Sequence, residues 1–214
     1  GEKMPCVEGV GEPTVSKQGS VAGDTGNVDV IDKFGKMVAG MPSGGWLQSS
    51  PVIPEIGFCL NSRAQMFWLE EGRPASLEPG KRPRTTLSPS MTLKDGKPYM
   101  AFGTPGGDQQ DQWQTNFFRR HVQLCMNLQE SIDAPSWHSE HFPGSFYPRV
   151  AAPGKLVVEG RFPQTTVNEL RRRGHDVVVG EDWSEGRMCA AAQEDGVLEA
   201  AATPPGMQGY GGGR

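Results

Sequence analysis

The sequence predicts an α+β fold in which antiparallel sheets carry a few external helices. Paired runs of alternating apolar residues flank tight turns. The clearest are residues 88–94 and 97–103 about Asp95-Gly96, and residues 188–193 and 197–202 about Asp195-Gly196, the signature of two-residue hairpin loops. Helical periodicity is confined to residues 108–129 and 163–173. No βαβ repeat and no internal repeat accompany them, so hairpins with helices packed outside are expected.

The elements follow in order. Residues 1–24 hold five glycines and two prolines among polar residues, with a period of neither 2 nor 3.6, and read as an irregular leader. Val28 and Val30, then Met37 and Ala39 after a turn at Lys33-Phe34-Gly35, give a hairpin of two short strands. Ser43-Gly44-Gly45 is a flexible loop at its end. Residues 44–84 carry Pro, Gly and single apolar residues such as Trp46, Phe58, Met66 and Trp68, the composition of a loop region packed over a site. The hairpin 88–103 then delivers the chain to Gly103-Thr104-Pro105-Gly106-Gly107. Asp108 is placed to cap one long helix reaching Gln129, with Trp113, Phe117, Phe118, Val122, Leu124, Cys125 and Leu128 on its apolar face. Strands at 155–159 and 176–179 bracket a helix from Pro163 to Arg173, with proline in its first turn and Gly174 at its stop. The glycine-rich tail from Gly206 is expected to be mobile unless docked.

Composition excludes several classes. At 214 residues the chain is long enough to bury a core as one large domain or two small ones. A formal charge of −4, with both signs interspersed, argues against a nucleic-acid surface, which needs a concentrated basic face. Arg171-Arg172-Arg173 reads as a solvated helix end, where cations meet the C-terminal dipole. Cys6, Cys59, Cys125 and Cys189 lie far apart without a C-x-x-C pair, so buried thiols are expected rather than a zinc site or a disulfide framework. His138 and His141 would suit a metal pair only on a regular helix, which Pro135 and Pro143 oppose, and His121 reads as one more position on the long helix. No metal and no cofactor is expected. No stretch has the length of a membrane span.

Chemistry is concentrated in four separated pieces. Thr25 stands before the first strand and Ser43 at the end of the next. Lys81-Arg82-Pro83-Arg84-Thr85-Thr86-Leu87-Ser88-Pro89 precedes the central hairpin, and residues 103–107 follow it. A threonine freed as an N-terminus combines a hydroxyl nucleophile with an α-amine of pKa about 7.7–8.0 to take its proton. In order and spacing the four pieces resemble the small-subunit portion of the γ-glutamyltransferase-like family of N-terminal nucleophile (Ntn) hydrolases, over nearly the whole chain from about Gly9.

That resemblance implies a four-layer αββα sandwich with antiparallel sheets, completed by an N-terminal segment outside this chain. It implies self-cleavage at Asp24–Thr25, dividing residues 1–24, the end of the large-subunit region, from residues 25–214, the catalytic half. Thr25 would then be the nucleophile, Ser43 the hydroxyl that hydrogen-bonds it, and the amides of Gly106 and Gly107 the donors to the oxyanion. Thr85 and Thr86 match hydroxyl residues that bind a substrate carboxylate, and Gln65 lies near the acidic residue that holds a γ-glutamyl α-amine. The implied partners are the large subunit of the same precursor, which supplies an arginine for substrate binding, and a small γ-glutamyl or other amide. The compartment, cytoplasmic or exported, is left open. Gly26-Asn27 stand where many members have threonine or cysteine followed by histidine, Gly45 stands for an asparagine, and Gln65 lacks the acidic charge. These departures favour an amidohydrolase or acylase over a strict glutamyl transferase. They also leave open a second reading, an uncleaved and catalytically silent member acting as a binding or structural protein.

Overall fold

The computed structural model describes residues 25–44, 51–204 and 210–212. The expectations for the leader, for Gly45 and Trp46 and for most of the tail lie outside the described residues. Strands β1 (Val28–Ile31) and β2 (Met37–Gly40) form the first hairpin, and the short pair β3 (Val52–Ile53) and β4 (Phe58–Cys59) follows in the loop region. A 3₁₀ turn at Arg63–Met66 leads on to β5 (Ser90–Lys94) and β6 (Lys97–Gly103). Helices α1 (Gln110–Leu124) and α2 (Leu128–Asp133) come next, then β7 (Trp137–Ser139), β8 (Lys155–Val158), α3 (Gln164–Arg172) and β9 (Asp176–Val179). The hairpin of β10 (Cys189–Glu194) and β11 (Val197–Ala202) completes the set.

The α+β class holds. An antiparallel sheet of order β11-β10-β6-β5 is the centre. Both predicted turns are present, with Asp95 and Gly96 at φ 52° and 77° and Asp195 and Gly196 at 50° and 82°, the left-handed pairs that a two-residue hairpin loop demands. One face of the sheet carries α1 and α2, through a buried cluster of Met100, Phe102, Trp113, Phe117, Leu128 and Met188. The β1–β2 ladder packs on the other face, against β5, β6 and β10. Ala190, Ala191 and Ala192 let neighbours approach β10 closely from both sides, and all three are buried.

Several expectations need correction. The long helix breaks at Cys125, whose left-handed conformation (φ 55°) closes α1. Asn127 then opens α2 with a capping box: its side chain accepts from the Glu130 N–H while Glu130 reaches back to the Asn127 N–H. Val122, Leu124 and Cys125 are therefore exposed rather than part of a continuous apolar face, and Cys125 is not a buried thiol. Asp108 does not cap α1. Gln109 holds the N-cap position without a side-chain bond, and Asp108 instead accepts from the backbone N–H (2.8 Å) and hydroxyl of Ser145. Finally, β8, α3 and β9 do form one βαβ unit, with β8 and β9 parallel over a small core of Leu156, Val158, Val167 and Val177. The strand and helix limits were readable in sequence, but the pairing partner was not. His121 also does more than occupy a helix position, since its ring meets the Tyr99 hydroxyl at 2.6 Å and the Met126 carbonyl at 2.8 Å.

The triple-arginine helix end is as expected. Arg172 and Arg173 pair with Glu169, and Arg171 donates to the Val177 carbonyl.

Candidate active site

The first hairpin sets the position of Thr25. Continuing the Val28↔Gly40 register outward through the Gly26 N–H to Pro42 carbonyl bond (3.2 Å) brings Thr25 opposite Ser43. Their hydroxyl oxygens lie 2.7 Å apart, and either can donate. The family resemblance implied the Ser43 pairing, and the local register of the hairpin supplies its geometry.

Strand alternation puts Thr25, Asn27 and Asp29 on one face, and that face is turned to β6 and β10. Asn27 sits on Gly103, where a Cβ would lie 2.3 Å from its Oδ1, so any side chain there would have to displace Asn27. Its Nδ2 donates to Asp29 Oδ2 (2.5 Å) and to Cys189 Sγ (3.0 Å). Burial pushes the Asp29 carboxyl up to about 6, against the opposing hydrogen bonds with Asn27 and Cys189, and burial likewise pushes the Cys189 thiol up to about 11. The apolar phase of the hairpin faces outward instead, with Val28 56%, Val30 46% and Val38 56% exposed. Sequence alternation identified the strand but not which phase looks inward.

The Asp29 shift has a measurable consequence. An acid whose pKa is higher folded than unfolded binds more protons in the native state, so stability is full below the unfolded value and falls as pH rises from about 4 to about 6. Asp29→Asn is expected to flatten that fall in a denaturant-midpoint series across pH 3.5–7. An unchanged slope would remove Asp29 as its source.

The glycine loop is shaped from beneath. Gly106 has φ 145°, and a Cβ there would lie 2.3 Å from Trp113 Cζ3. Trp113 is held in turn: its indole N–H donates to Glu185 Oε2 at 2.9 Å, and the same oxygen bonds His138 Nδ1. The His138 ring meets the indole edge-on, with centroids 5.9 Å apart. The two histidines of the Trp-His-Ser-Glu-His run are thus used separately, His141 accepting from the Gly154 N–H. Among the described residues, no three or more His, Cys, Asp or Glu side chains gather in a way that could hold a metal ion.

Gly107, at φ 60°, opens a 3₁₀ turn that runs into α1. Gln110 is wholly buried. With its amide oriented to satisfy both ends, it accepts from the Gly107 N–H (3.2 Å) and donates to the Thr86 carbonyl (3.0 Å). One turn on, Gln114 donates to Ser88 Oγ (2.9 Å) and accepts from Ser90 Oγ (2.7 Å). The segment carrying Thr85 and Thr86 is thereby tied to the glycine loop through α1. The two threonines differ: Thr86 is buried, while Thr85 is exposed and its Oγ1 accepts from the Leu87 N–H (3.0 Å).

The 3₁₀ turn bearing Gln65 docks on the other side of Ser43. The Ser62 N–H reaches the Gly44 carbonyl (2.5 Å), Asn61 Nδ2 reaches the Ser43 carbonyl (3.4 Å), and Arg63 is buried with its Nε 3.0 Å from where a Gly44 Cβ would stand. Gln65 is half-buried, and its carbonyl accepts from Arg149 Nη2 (3.2 Å).

Arg63, Gln114 and Glu185 were not singled out by sequence, and Asn27, Gln110 and Trp113 were not assigned site roles there. A signal existed for the two glutamines: polar residues four apart within the apolar register of Trp113 and Phe117.

The site thus joins a hairpin that ends in paired Thr25 and Ser43 hydroxyls to a sheet with an inner strand that runs into a glycine loop. A family model described as gamma-glutamyltranspeptidase matches residues 8–212, and the chain belongs to that family. The glutathione hydrolase-like YwrD proenzyme of Bacillus subtilis (strain 168) is 36% identical over 190 residues, 87% of this chain and 35% of that protein. The oxamate amidohydrolase proenzyme of Klebsiella pneumoniae subsp. pneumoniae is 33% identical over 208 residues, 94% of this chain and 38% of that protein. This chain therefore spans little more than a third of the length of either relative. The solved structure of LmbA2991HD is 60% identical with a TM-score of 0.82, covering 88% of this chain and 34% of that one. Solved γ-glutamyltranspeptidase structures at 22% identity share the fold, at a TM-score of 0.68. No helix among the described residues is long and apolar enough to cross a membrane.

Proposed function

We propose that residues 25–214 are the catalytic half of an Ntn amide hydrolase or acyltransferase, released by self-cleavage at Asp24–Thr25, with residues 1–24 ending the large-subunit region. The observation that carries this reading is the 2.7 Å approach of the Thr25 and Ser43 hydroxyls at the end of the first hairpin. The exposed outer face of that hairpin supports it further. Helix layer, sheet and ladder make three layers, and a helix layer from the preceding segment would cover Val28, Val30 and Val38 to complete an αββα sandwich.

In this reading Thr25 Oγ1 attacks the amide carbonyl while its proton passes to the free α-amine, with Ser43 orienting the hydroxyl. The new oxyanion lies against the Gly106 and Gly107 amides, and the Gly107 N–H passes from Gln110 Oε1 to the oxyanion. Collapse expels the amine, which takes the proton from the α-ammonium, and leaves an ester on Thr25. Water, or an acceptor amine, then adds to that ester through the same oxyanion, and the acid (from water) or the new amide (from the amine) leaves as Thr25 recovers its proton. Thr85, Thr86 and Gln65 would line the donor pocket. A neutral Gln65 supplies no counter-charge to a donor α-amine, which favours amidohydrolase or acylase specificity, in line with the name of the oxamate amidohydrolase relative.

Mass measurement of the full-length gene product tests this directly. The expected result is two chains, one beginning at Thr25. A single uncut chain, stable for days at neutral pH, would sink the proposal in favour of a silent scaffold. In the processed protein Gly107→Val is expected to lower turnover by about 10²–10³-fold, the usual effect of losing one oxyanion donor, because a β-branched residue is strained at φ 60°. Unchanged kinetics would remove Gly107 from the oxyanion site.

A further inference from the structure

We propose that Arg187 is the anion anchor of the donor pocket, so that the acyl donor carries a carboxylate. This rests on the reading of Thr25 as the nucleophile. Arg187 precedes β10, and its backbone N–H donates to Thr104 Oγ1 at 2.9 Å, which fixes it beside the glycine loop.

Alternation then decides which way it faces. Met188, Ala190 and Ala192 join the helix-side cluster, and Gly186 lies against Trp113 on that same side. Cys189 takes the opposite side, where its Sγ meets Asn27. Arg187 shares the phase of Cys189, and therefore projects to the face that carries Asn27 and Thr25. Cys189 pairs with Gly103 across the sheet, so the step from Cys189 back to Arg187 runs beside the step from Gly103 forward to Pro105 and Gly106.

The side chain is half-buried there, and its Nε is buried with no hydrogen-bond partner among the described residues. No carboxylate among the described residues forms an ion pair with it. Asp29, the acid on this face of β1, is engaged by Asn27 and Cys189. A desolvated guanidinium N–H calls for an acceptor, and the planar fork of arginine suits a carboxylate. Arg63, which is buried, packs on Gly44 next to Ser43. Such a pocket favours an anionic acyl group over the cationic α-amine of a glutamyl donor.

The test uses the full-length protein carrying Thr25→Ala, so that donors bind without turnover. Calorimetric titration compares ω-amide carboxylates, from oxamate to glutaramate, with neutral amides of matching length. At least one carboxylate is expected to bind more tightly than its neutral counterpart. Arg187→Gln is expected to reduce that preference by about ten- to hundred-fold, the usual range for a charge-assisted hydrogen bond, and Arg187→Lys to keep part of it. A preference unchanged in Arg187→Gln overturns the proposal, as does the absence of any preference in the parent. In the matured enzyme the same substitution should raise KM for a glutaryl anilide relative to a pentanoyl anilide, with little change in the kcat ratio. Failure of the precursor to mature would count against the nucleophile reading alone, because the titration still decides Arg187.

Discussion

Replacing Thr25 with alanine is expected to leave the full-length precursor as one chain and to lower amide turnover by at least about 10³-fold. The substitution removes the attacking oxygen and, in the uncleaved chain, leaves no α-amine to act as base. It should not unfold the hairpin. The ladder at this point is held by backbone, through the Gly26 N–H to Pro42 bond, and Thr25 is only partly buried. The hydroxyl contact that disappears, to Ser43, is worth about 0.5–1.5 kcal/mol. Thr25→Ser restores a hydroxyl and should recover measurable cleavage. Intact mass, N-terminal sequencing and a thermal melt together read the result. Cleavage persisting in the alanine variant would eliminate Thr25 as the nucleophile, and a collapsed melting transition would make its role structural.

Gly106→Ala is expected to damage both rate and stability. At φ 145° any side chain is strained, by about 1–3 kcal/mol. The added methyl would also stand 2.3 Å from Trp113 Cζ3. The indole has little freedom to retreat, being wholly buried and tied to Glu185, which His138 holds from another side. Overpacking of this kind costs about 1–3 kcal/mol, and a displaced loop misaligns its amide donors for about 10²–10³-fold in rate. Shortening the obstacle separates the two causes. With Trp113→Phe in the same chain, the clash is relieved while the backbone strain stays, so the double variant should be more stable than the two single costs added together. Strict additivity would show that the methyl never meets the indole.

The stretches that local chemistry dictates were readable from the residues. Both Asp-Gly hairpins need left-handed backbone at adjacent positions, and few other dipeptides supply it. Helix α3 begins after Pro163 and stops before Gly174, again for reasons carried within one turn of chain. The Thr25–Ser43 pair came instead from the family resemblance, and the register of the short hairpin explains why it forms. The break after α1 was within reach as well: Asn127 and Glu130 spell a capping box, but the apolar pattern on either side suggested a continuous helix.

Other features depended on groups far apart in the chain. Nothing near Trp113 in sequence indicates that Glu185 and His138 will hold it under Gly106. Nothing near Gln110 shows that its amide will join Gly107 to Thr86, and Asp108 meets Ser145 rather than its own helix. The parallel pairing of β8 with β9, and the inward turn of Asn27 and Asp29 rather than Val28 and Val30, likewise depend on which surfaces meet. By itself the sequence determined the class of fold, the turns, most element limits and the family. The support beneath the glycine loop and the inward polar face beside Thr25 were decided only by tertiary structure, because a hydrogen bond between distant residues leaves no period and no spacing in the chain that makes it.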